Sequence, residues 1–127
     1  MTNKEQSGQR AFRNGHKAET IAALFLRLKG YRLVEKNFKP PRGTGAGEID
    51  LIVEKNTTVV FVEVKLRQTT DTAAESVSET VKRRRIRGAE YFLALHPEFE
   101  KHDKRFDVVL MAPKKFPVHI KNAFICE

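Results

Sequence analysis

The order of apolar and polar positions along the chain predicts an α/β domain. Apolar residues at helical spacing predict one helix from about residue 13 or 14 to residue 29 and a second from about residue 74 to residue 95. Gly30 and Pro97 are typical helix-ending residues at those two boundaries. Runs rich in β-branched and aromatic residues predict five strands: Tyr31–Phe38, Glu48–Glu54, Thr58–Leu66, Arg105–Met111 and a short one within Val118–Phe124. One helix, three strands, one helix and two strands indicate a mixed central sheet flanked by helices.

The same spacing predicts which face of each helix is buried. The first helix carries its apolar stripe on Ala18, Ile21, Ala22, Phe25 and Leu28. The second carries it on Val77, Val81, Gly88, Phe92 and Leu95. Because Gly88 has no side chain, we expect it to permit close packing of the second helix against the sheet.

The second and third strands are predicted to form a hairpin that gathers carboxylates. Side chains alternate between the faces of a strand, so Glu48 and Asp50 share one face of the second strand, and Glu63 and Lys65 share one face of the third. If a two- or four-residue turn at the polar segment 55–57 closes the hairpin, even positions of one strand lie opposite odd positions of the other. The carboxylates of both strands then converge on one side of the hairpin, next to an ammonium group.

A solvated hairpin face is the ordinary explanation for charges that alternate along a strand, but it fits this sequence poorly. The strand Thr58–Leu66 is almost continuously apolar, as expected of a strand covered on both faces, so charges at its end are partly buried. Buried carboxylates are costly unless they are paired or bound to a metal. The four histidines show no paired ligand spacing and there is one cysteine, which disfavours zinc. Carboxylate oxygens suit Mg²⁺ or Mn²⁺ instead.

Two further acidic residues are candidates for this site. Glu19 projects from the shoulder of the first helix's apolar stripe, near Leu26; an ordinary glutamate favoured by the helix dipole explains it equally well. Glu48 is a candidate for a supporting role beside Asp50, or for pairing with a nearby arginine, and ranks below the others.

The chain has a formal net charge of +8, which favours polyanionic partners. The glycine-rich loop before the hairpin and the run Lys82–Arg87 supply cations near the carboxylates, although a flexible connection and a solvated helix face explain them as well. The candidate contacts to a nucleic-acid backbone are Arg42, Arg67, Lys82, Arg84 and Arg85.

Composition limits the alternatives. Residues 1–11 are polar and predicted to be a disordered tail, and 12–127 a single domain. No apolar run is long enough to span a membrane, the N-terminus has no signal-peptide core, and the single cysteine, Cys126, has no internal partner. We therefore expect a cytoplasmic protein with no membrane partner.

Several motifs together resemble one nuclease superfamily. GEIDLI, followed thirteen residues after Asp50 by Glu63 in FVEVK, resembles the PD-(D/E)xK signature of restriction-endonuclease-like enzymes, with Ile49 in the place of the signature's proline. With the Glu19 helix, RFDVV and HIKNAF added, the chain resembles the YraN-like family of bacterial proteins, which is similar to archaeal Holliday-junction resolvases.

The resemblance implies a restriction-endonuclease-like fold with a four- to five-stranded sheet. It implies catalytic roles for Asp50, Glu63, Lys65 and Glu19, with Asp50, Glu63 and Glu19 around Mg²⁺ or Mn²⁺. The predicted function is a Mg²⁺-dependent endonuclease acting on DNA, such as branched or damaged DNA, with RNA as the alternative substrate. A non-catalytic nucleic-acid-binding adaptor in DNA processing is the alternative function. Resolvase-like relatives act as dimers, so a homodimer is one expected assembly.

Overall fold

A computed structural model describes residues 17–67 and 78–123 of the chain. Two helices and five strands are present in that part, in the predicted order. Helix α1 covers 17–28, followed by β1 (Arg32–Phe38), β2 (Ile49–Lys55), β3 (Thr58–Leu66), α2 (Glu79–Leu95), a 3₁₀ turn (Pro97–Phe99), β4 (Asp103–Met111) and β5 (Val118–Ile120). The predicted tail 1–11, the predicted start of the first helix and Val77 lie outside the described residues. Within the described ranges, neither helix has the length and apolar character needed to cross a bilayer.

The five strands form one mixed sheet in the order β1-β2-β3-β4-β5. β3 and β4 run parallel, and the other neighbouring strands run antiparallel. Lys55 lies opposite Thr58, so the hairpin turn contains two residues, and Asn56 at its first position has a left-handed φ of 56°. Ile52 lies opposite Phe61, which confirms that even positions of β2 face odd positions of β3.

The sheet is covered on both faces. One buried layer joins α1 to the sheet through Ala22, Leu26, Leu51 and Val60, whereas the other joins α2 to it through Phe92, Ile52 and Phe61. Consecutive residues 59–62 of β3 are all buried because their side chains alternate between these two layers. The prediction that β3 is apolar because it is covered twice is confirmed.

Helix α1 packs on a narrower row than the sequence predicts. Ala18, Ala22 and Leu26 are buried, while Ile21 is 38% exposed and Leu28 is 88% exposed. The helix meets the sheet along one i, i+4 row, so the outer members of the predicted stripe face solvent. Gly30 ends the helix as predicted: its N–H bonds to Arg27 O at 3.0 Å, the following N–H reaches Leu26 O at 3.0 Å, and its φ is 97°.

Helix α2 begins later than predicted. Ser78 is its N-cap, with extended backbone angles and a side chain that accepts a hydrogen bond from Val81 N, so the helix starts at Glu79 rather than near residue 74. The predicted stripe is wrong at Val81 and Leu95, which are exposed at the two ends of the helix, beyond the sheet. The buried positions of α2 are Gly88, Ala89 and Phe92.

A close approach between two glycines sets where α2 lies. A Cβ added to Gly88 would come within 2.3 Å of Gly47 O, and one added to Gly47 within 3.2 Å of the Arg84 backbone. Gly47 N also donates to Arg84 O at 2.7 Å. The predicted close packing at Gly88 is thus present, and its partner is the segment that leads into β2.

Candidate functional site

Asp50 and Glu63 are brought together where the β2–β3 ladder ends. The paired register runs up to Leu51 opposite Val62, and the next residues along the two strands are Asp50 and Glu63. Asp50 Oδ2 accepts a hydrogen bond from Val64 N at 2.9 Å, which holds the Asp50 carboxylate against the strand that carries Glu63. The predicted convergence of acidic side chains from both strands follows from this register.

The surroundings of Asp50 disfavour its negative charge. Burial raises the pKa of Asp50, and the hydrogen bond from Val64 and the positive charge of Arg85 counteract only part of that effect. The nearby charge of Glu48 raises the pKa of Asp50 further. A cation placed beside Asp50 would therefore be favourable.

Glu63 is half of a partly buried ion pair. Its Oε1 lies 2.6 Å from Nη2 of Arg85, with side-chain exposures of 14% for Glu63 and 21% for Arg85. The other oxygen, Oε2, is buried and receives no hydrogen bond from the described residues. Nε of Arg85 is also buried, and it donates no hydrogen bond to any described residue. Arg85 was predicted to contact nucleic acid, and the structure places its guanidinium on a carboxylate of the candidate site.

A cleft of about 240 Å³ opens beside these groups, between the start of β2 and the first turns of α2. Two carboxylates and two guanidinium groups give it charges of both signs. The cleft is lined by Gly47, Glu48, Asp50, Val81, Arg84 and Arg85.

Lys65 and Glu19 lie on two different elements, and the structure does not group Glu19 with Asp50 and Glu63 as a metal site. Lys65 is half-buried on β3, two residues beyond Glu63 and on the same face. Glu19 lies on α1, directly after the buried Ala18, and one of its carboxylate oxygens is shielded from solvent. The helix that carries Glu19 covers the sheet face opposite to α2.

The remaining predicted cations are spread over the surface around the site. Arg42 is exposed in the turn before β2, and Lys82 lies 3.6 Å from Glu79 one turn earlier on α2. Arg67 lines a separate groove of about 780 Å³ beside Lys17, Lys114 and Lys115. Arg84, Arg85 and Glu48 therefore share the cleft with Asp50, whereas Arg42, Lys82 and Arg67 lie outside its lining.

A second buried carboxylate was missed by the sequence prediction. Asp107 on β4 is 1% exposed and accepts hydrogen bonds on both oxygens. Oδ1 accepts from Arg105 Nε at 2.8 Å and Asn122 N at 2.9 Å, and Oδ2 from Arg105 Nη2 at 2.8 Å and His119 Nε2 at 2.7 Å. The signal in the sequence was a charge in the middle of an apolar strand, in RFDVV.

The network around Asp107 extends to the segment that follows helix α1. His119 Nδ1 lies 2.6 Å from Lys29 Nζ, and Arg105 Nη2 donates to the Tyr31 hydroxyl at 2.7 Å. Because an ammonium only donates, Nδ1 of His119 accepts and Nε2 carries the proton that Asp107 receives. Burial alone would raise the pKa of Asp107, but the hydrogen bonds from His119, Arg105 and Asn122 outweigh it and lower that pKa to about 2.

Comparison with known proteins gives the family. The sequence profile of the uncharacterised protein family UPF0102 matches residues 18–111. A UPF0102 protein of Paramagnetospirillum magneticum is 48% identical over 116 residues, covering 91% of this chain and 90% of that protein. UPF0102 proteins of a Chelativorans species and of Parvibaculum lavamentivorans are 43% and 45% identical over 118 residues, covering 93% of this chain and 92% and 86% of theirs. These matches span both the β2–β3 hairpin and the Asp107 strand, and the chain belongs to the UPF0102 family, the YraN-like proteins that its motifs resemble.

Proposed function

We propose that this protein is a metal-dependent endonuclease of the restriction-endonuclease-like fold that hydrolyses phosphodiester bonds in DNA. The observation that carries the proposal is the meeting of Asp50 and Glu63 at the end of a hairpin, with Lys65 on the face of Glu63 and two arginines beside them. Two partly buried carboxylates next to an amine and two arginines suit phosphate chemistry better than they suit a stable core.

The architecture supports the fold assignment. A mixed sheet with a central β-hairpin followed by a parallel strand, and with a helix on each face, agrees with what the PD-(D/E)xK resemblance implies. The candidate residues lie where the strands of that hairpin separate, which leaves room for a substrate at the edge of the paired region.

The donor set fits a hard divalent cation. Burial penalises the charge of Asp50, and Glu63 Oε2 is a buried acceptor without a donor among the described residues. A divalent ion held by these two carboxylates would relieve both costs, and oxygen ligands select Mg²⁺ or Mn²⁺. No three Asp, Glu, His or Cys side chains within 17–67 and 78–123 are grouped closely enough to form a metal site by themselves. Glu19 lies on the helix that covers the other face of the sheet and is not grouped with Asp50 and Glu63, so it would act through a water, and water or substrate oxygens would complete the coordination.

The chain's own residues divide the work of hydrolysis. When bound, Mg²⁺ would lower the pKa of a coordinated water and neutralise negative charge on the phosphate oxygens. Asp50 and Glu63 hold and orient the ion, while Lys65 orients the attacking water or contacts the scissile phosphate. Arg84 lies in the cleft wall, where its guanidinium can hold a neighbouring phosphate, and Arg42, Arg67 and Lys82 add charge along the surface.

A cleavage assay tests the proposal. Purified protein is incubated with labelled linear, nicked and four-way-junction DNA and with a matching RNA, with Mg²⁺ or Mn²⁺. We expect cleavage of at least one DNA substrate that requires the metal and is reduced about 100-fold or more by Asp50→Asn or Lys65→Ala. Glu98→Gln, an exposed change on the 3₁₀ turn, is the matched control and should cleave as the wild type does. Binding without cleavage on every substrate would instead assign the chain to the non-catalytic adaptor class.

A further inference from the structure

The ion pair between Arg85 and Glu63 is incomplete on both sides. One guanidinium nitrogen contacts one carboxylate oxygen at 2.6 Å, and the second oxygen of Glu63 and Nε of Arg85 are buried without partners among the described residues. A guanidinium and a carboxylate usually satisfy each other with two parallel hydrogen bonds, as Arg105 and Asp107 do at 2.8 and 2.8 Å. The Arg85 pair therefore bears a desolvation cost that its single contact offsets only in part.

The charges around Arg85 are also unbalanced. Its positive charge acts on Asp50 as well as on Glu63, and Glu48 adds a third carboxylate close to Asp50. Glu48 and Arg84 both line the cleft and are both exposed to solvent, which screens their charges, so the partly buried charges are those of Asp50, Glu63 and Arg85. One buried guanidinium thus serves at least two carboxylates, and a divalent ion would neutralise them more completely.

The position of Arg85 is fixed by its helix rather than by the pair itself. The glycine contact between Gly88 and Gly47, and the hydrogen bond from Gly47 N to Arg84 O, hold this turn of α2 against the start of β2. The backbone of Arg85 therefore stays beside the cleft when its side chain changes partner. Arg85 already lines the cleft, so its guanidinium can reach a ligand there through a change of side-chain rotamer without movement of the backbone.

From these observations we propose that Arg85 is an exchangeable counterion of the candidate site. Arg85 pairs with Glu63 until a divalent cation takes that carboxylate, and the released guanidinium then binds a phosphate of the nucleic acid. Guanidinium groups bind phosphate oxygens in the same forked geometry as carboxylates, so one side chain can serve both partners in turn. The inference rests on the proposed function, because it assumes that the carboxylates take a divalent ion. It predicts that cation binding and nucleic-acid binding strengthen each other through Arg85.

The first experiment measures cation binding alone. Mn²⁺ is titrated calorimetrically into the full-length wild type, Arg85→Ala, Arg85→Gln and Arg84→Ala, without nucleic acid. Removing the competing guanidinium should tighten Mn²⁺ binding about three- to tenfold in both Arg85 variants, whereas Arg84→Ala should change it less than about twofold because that arginine is exposed. Arg85→Gln removes the charge but leaves a longer, polar side chain than alanine, which guards against an effect of the cavity that alanine leaves, and circular dichroism checks the folding of every variant.

The second experiment measures the coupling. Binding of a labelled DNA duplex is followed by fluorescence anisotropy with and without Mn²⁺, with Lys65→Ala present in every protein to suppress cleavage. Mn²⁺ should strengthen DNA binding several-fold more in the protein that keeps Arg85 than in the one that carries Arg85→Ala. In the presence of Mn²⁺, Arg85→Ala should also reduce the slope of log K against log salt concentration by about one, the contribution of one phosphate contact. Arg84→Ala should weaken binding equally with and without Mn²⁺.

The outcomes separate this inference from the proposed function. If the wild type binds Mn²⁺ and the Arg85 variants bind it no more tightly than Arg84→Ala does, the exchange is wrong while the metal site stands. If Mn²⁺ binds only after Arg85 is replaced, the competition is stronger than expected and the inference is supported. If no variant binds Mn²⁺, both the exchange and the metal-dependent function fail.

Discussion

Two carboxylate sites in this protein have similar components but differ in how completely the hydrogen-bonding capacity of their carboxylates is satisfied. Asp107 and Glu63 lie on the neighbouring strands β4 and β3, and each contacts an arginine. Asp107 accepts four hydrogen bonds, two on each oxygen, and its pKa is lowered to about 2. Glu63 has a buried oxygen that receives no hydrogen bond from the described residues, and burial raises the pKa of its neighbour Asp50.

The difference indicates what each site is for. A carboxylate with every acceptor position filled stabilises the fold and has nothing left to offer a ligand. A pair of carboxylates that is only partly compensated weakens the fold slightly and gains from an added cation. The Asp107 network is therefore a structural element, and the Asp50–Glu63 pair has the properties expected of a binding site.

The largest expected effect comes from breaking the completed network. Asp107→Asn replaces one carboxylate oxygen by an amide NH₂ that would face two donors and leaves Arg105 without its counter-charge. Because removing one partner of a buried pair leaves the other uncompensated, we expect a loss of about 3–5 kcal/mol in the free energy of unfolding. Urea denaturation measures it. Asp103→Asn, at the exposed start of the same strand, is the control and should lose less than about 0.5 kcal/mol. A loss below about 1 kcal/mol for Asp107→Asn would refute the structural role of the network.

Acid should remove part of the same stabilisation. The pKa of Asp107 is lowered from 3.8 to about 2 in the folded protein, so its contribution is fully present above pH 4 and is lost as the pH falls towards 2. The loss should amount to about 2 kcal/mol, since a tenfold change in proton affinity corresponds to about 1.4 kcal/mol. Urea titrations of the wild type and Asp107→Asn between pH 6 and pH 2 should show their stabilities approaching each other. A constant difference over that range would contradict the assignment.

The candidate site depends on backbone packing more than on polar contacts, and Gly88→Ala tests this. Alanine normally stabilises a helix relative to glycine by about 1 kcal/mol. Here the added Cβ would lie 2.3 Å from Gly47 O, so we expect a net destabilisation of about 1–2 kcal/mol as α2 is forced away from the start of β2. Glu90→Ala, an exposed change on the same helix, controls for propensity and should be neutral or slightly stabilising. Thermal and urea unfolding give both values.

The smallest expected change in the free energy of unfolding is a gain in stability, whereas the larger changes are losses. Asp50→Asn keeps an oxygen for Val64 N but removes a charge that burial disfavours, so we expect a gain of about 0.5 kcal/mol at neutral pH. The pKa of Asp50 is higher in the folded state than in the unfolded state. Below the pKa of the unfolded state the carboxyl is protonated in both states, so it does not destabilise the fold. The destabilisation develops as the pH rises through the pKa of the folded state. The gain should therefore vanish in acid.

A metal titration of the same variant completes the contrast. Mg²⁺ should raise the melting temperature of the wild type by a few degrees and leave Asp50→Asn unchanged, because the variant lacks one of the two carboxylates. Asp103→Asn serves as the control and should respond to Mg²⁺ as the wild type does. An equal Mg²⁺ response in all three proteins would rule out Asp50 as a ligand.

Local features of the sequence predicted the hairpin and its register correctly. Strand alternation and a two-residue turn at Asn56 are determined by neighbouring residues, so the opposition of Ile52 and Phe61 followed without any knowledge of the rest of the fold. The helix end at Gly30 was predictable for the same reason. Ser78 carried a readable N-cap signal, and the predicted start near residue 74 was wrong because apolar spacing was extended past that cap.

Contacts between distant parts of the chain could not be predicted from local sequence features. The basic run on α2 gave no indication of which arginine would reach Glu63, because that depends on how the helix is rotated against the sheet. Leu28 and Ile21 matched a helical stripe but lie outside the single row that meets the sheet. Asp107 depends on His119 and Asn122, and no pattern in the sequence states that those residues approach it.

The segment after β5 is attached to β4 through Asn122 N to Asp107 Oδ1 and Ala123 N to Phe106 O, at 2.9 and 2.7 Å. Arg105 precedes Asp107 in the chain, but His119 and Asn122, which supply the other half of its hydrogen bonds, are added after it. A nascent chain that stops short of residue 119 would have to bury a charge with half of its donors missing. Stable burial of Asp107 therefore requires the chain to extend to Asn122, and chains cut before residue 119 should be less stable than the full chain.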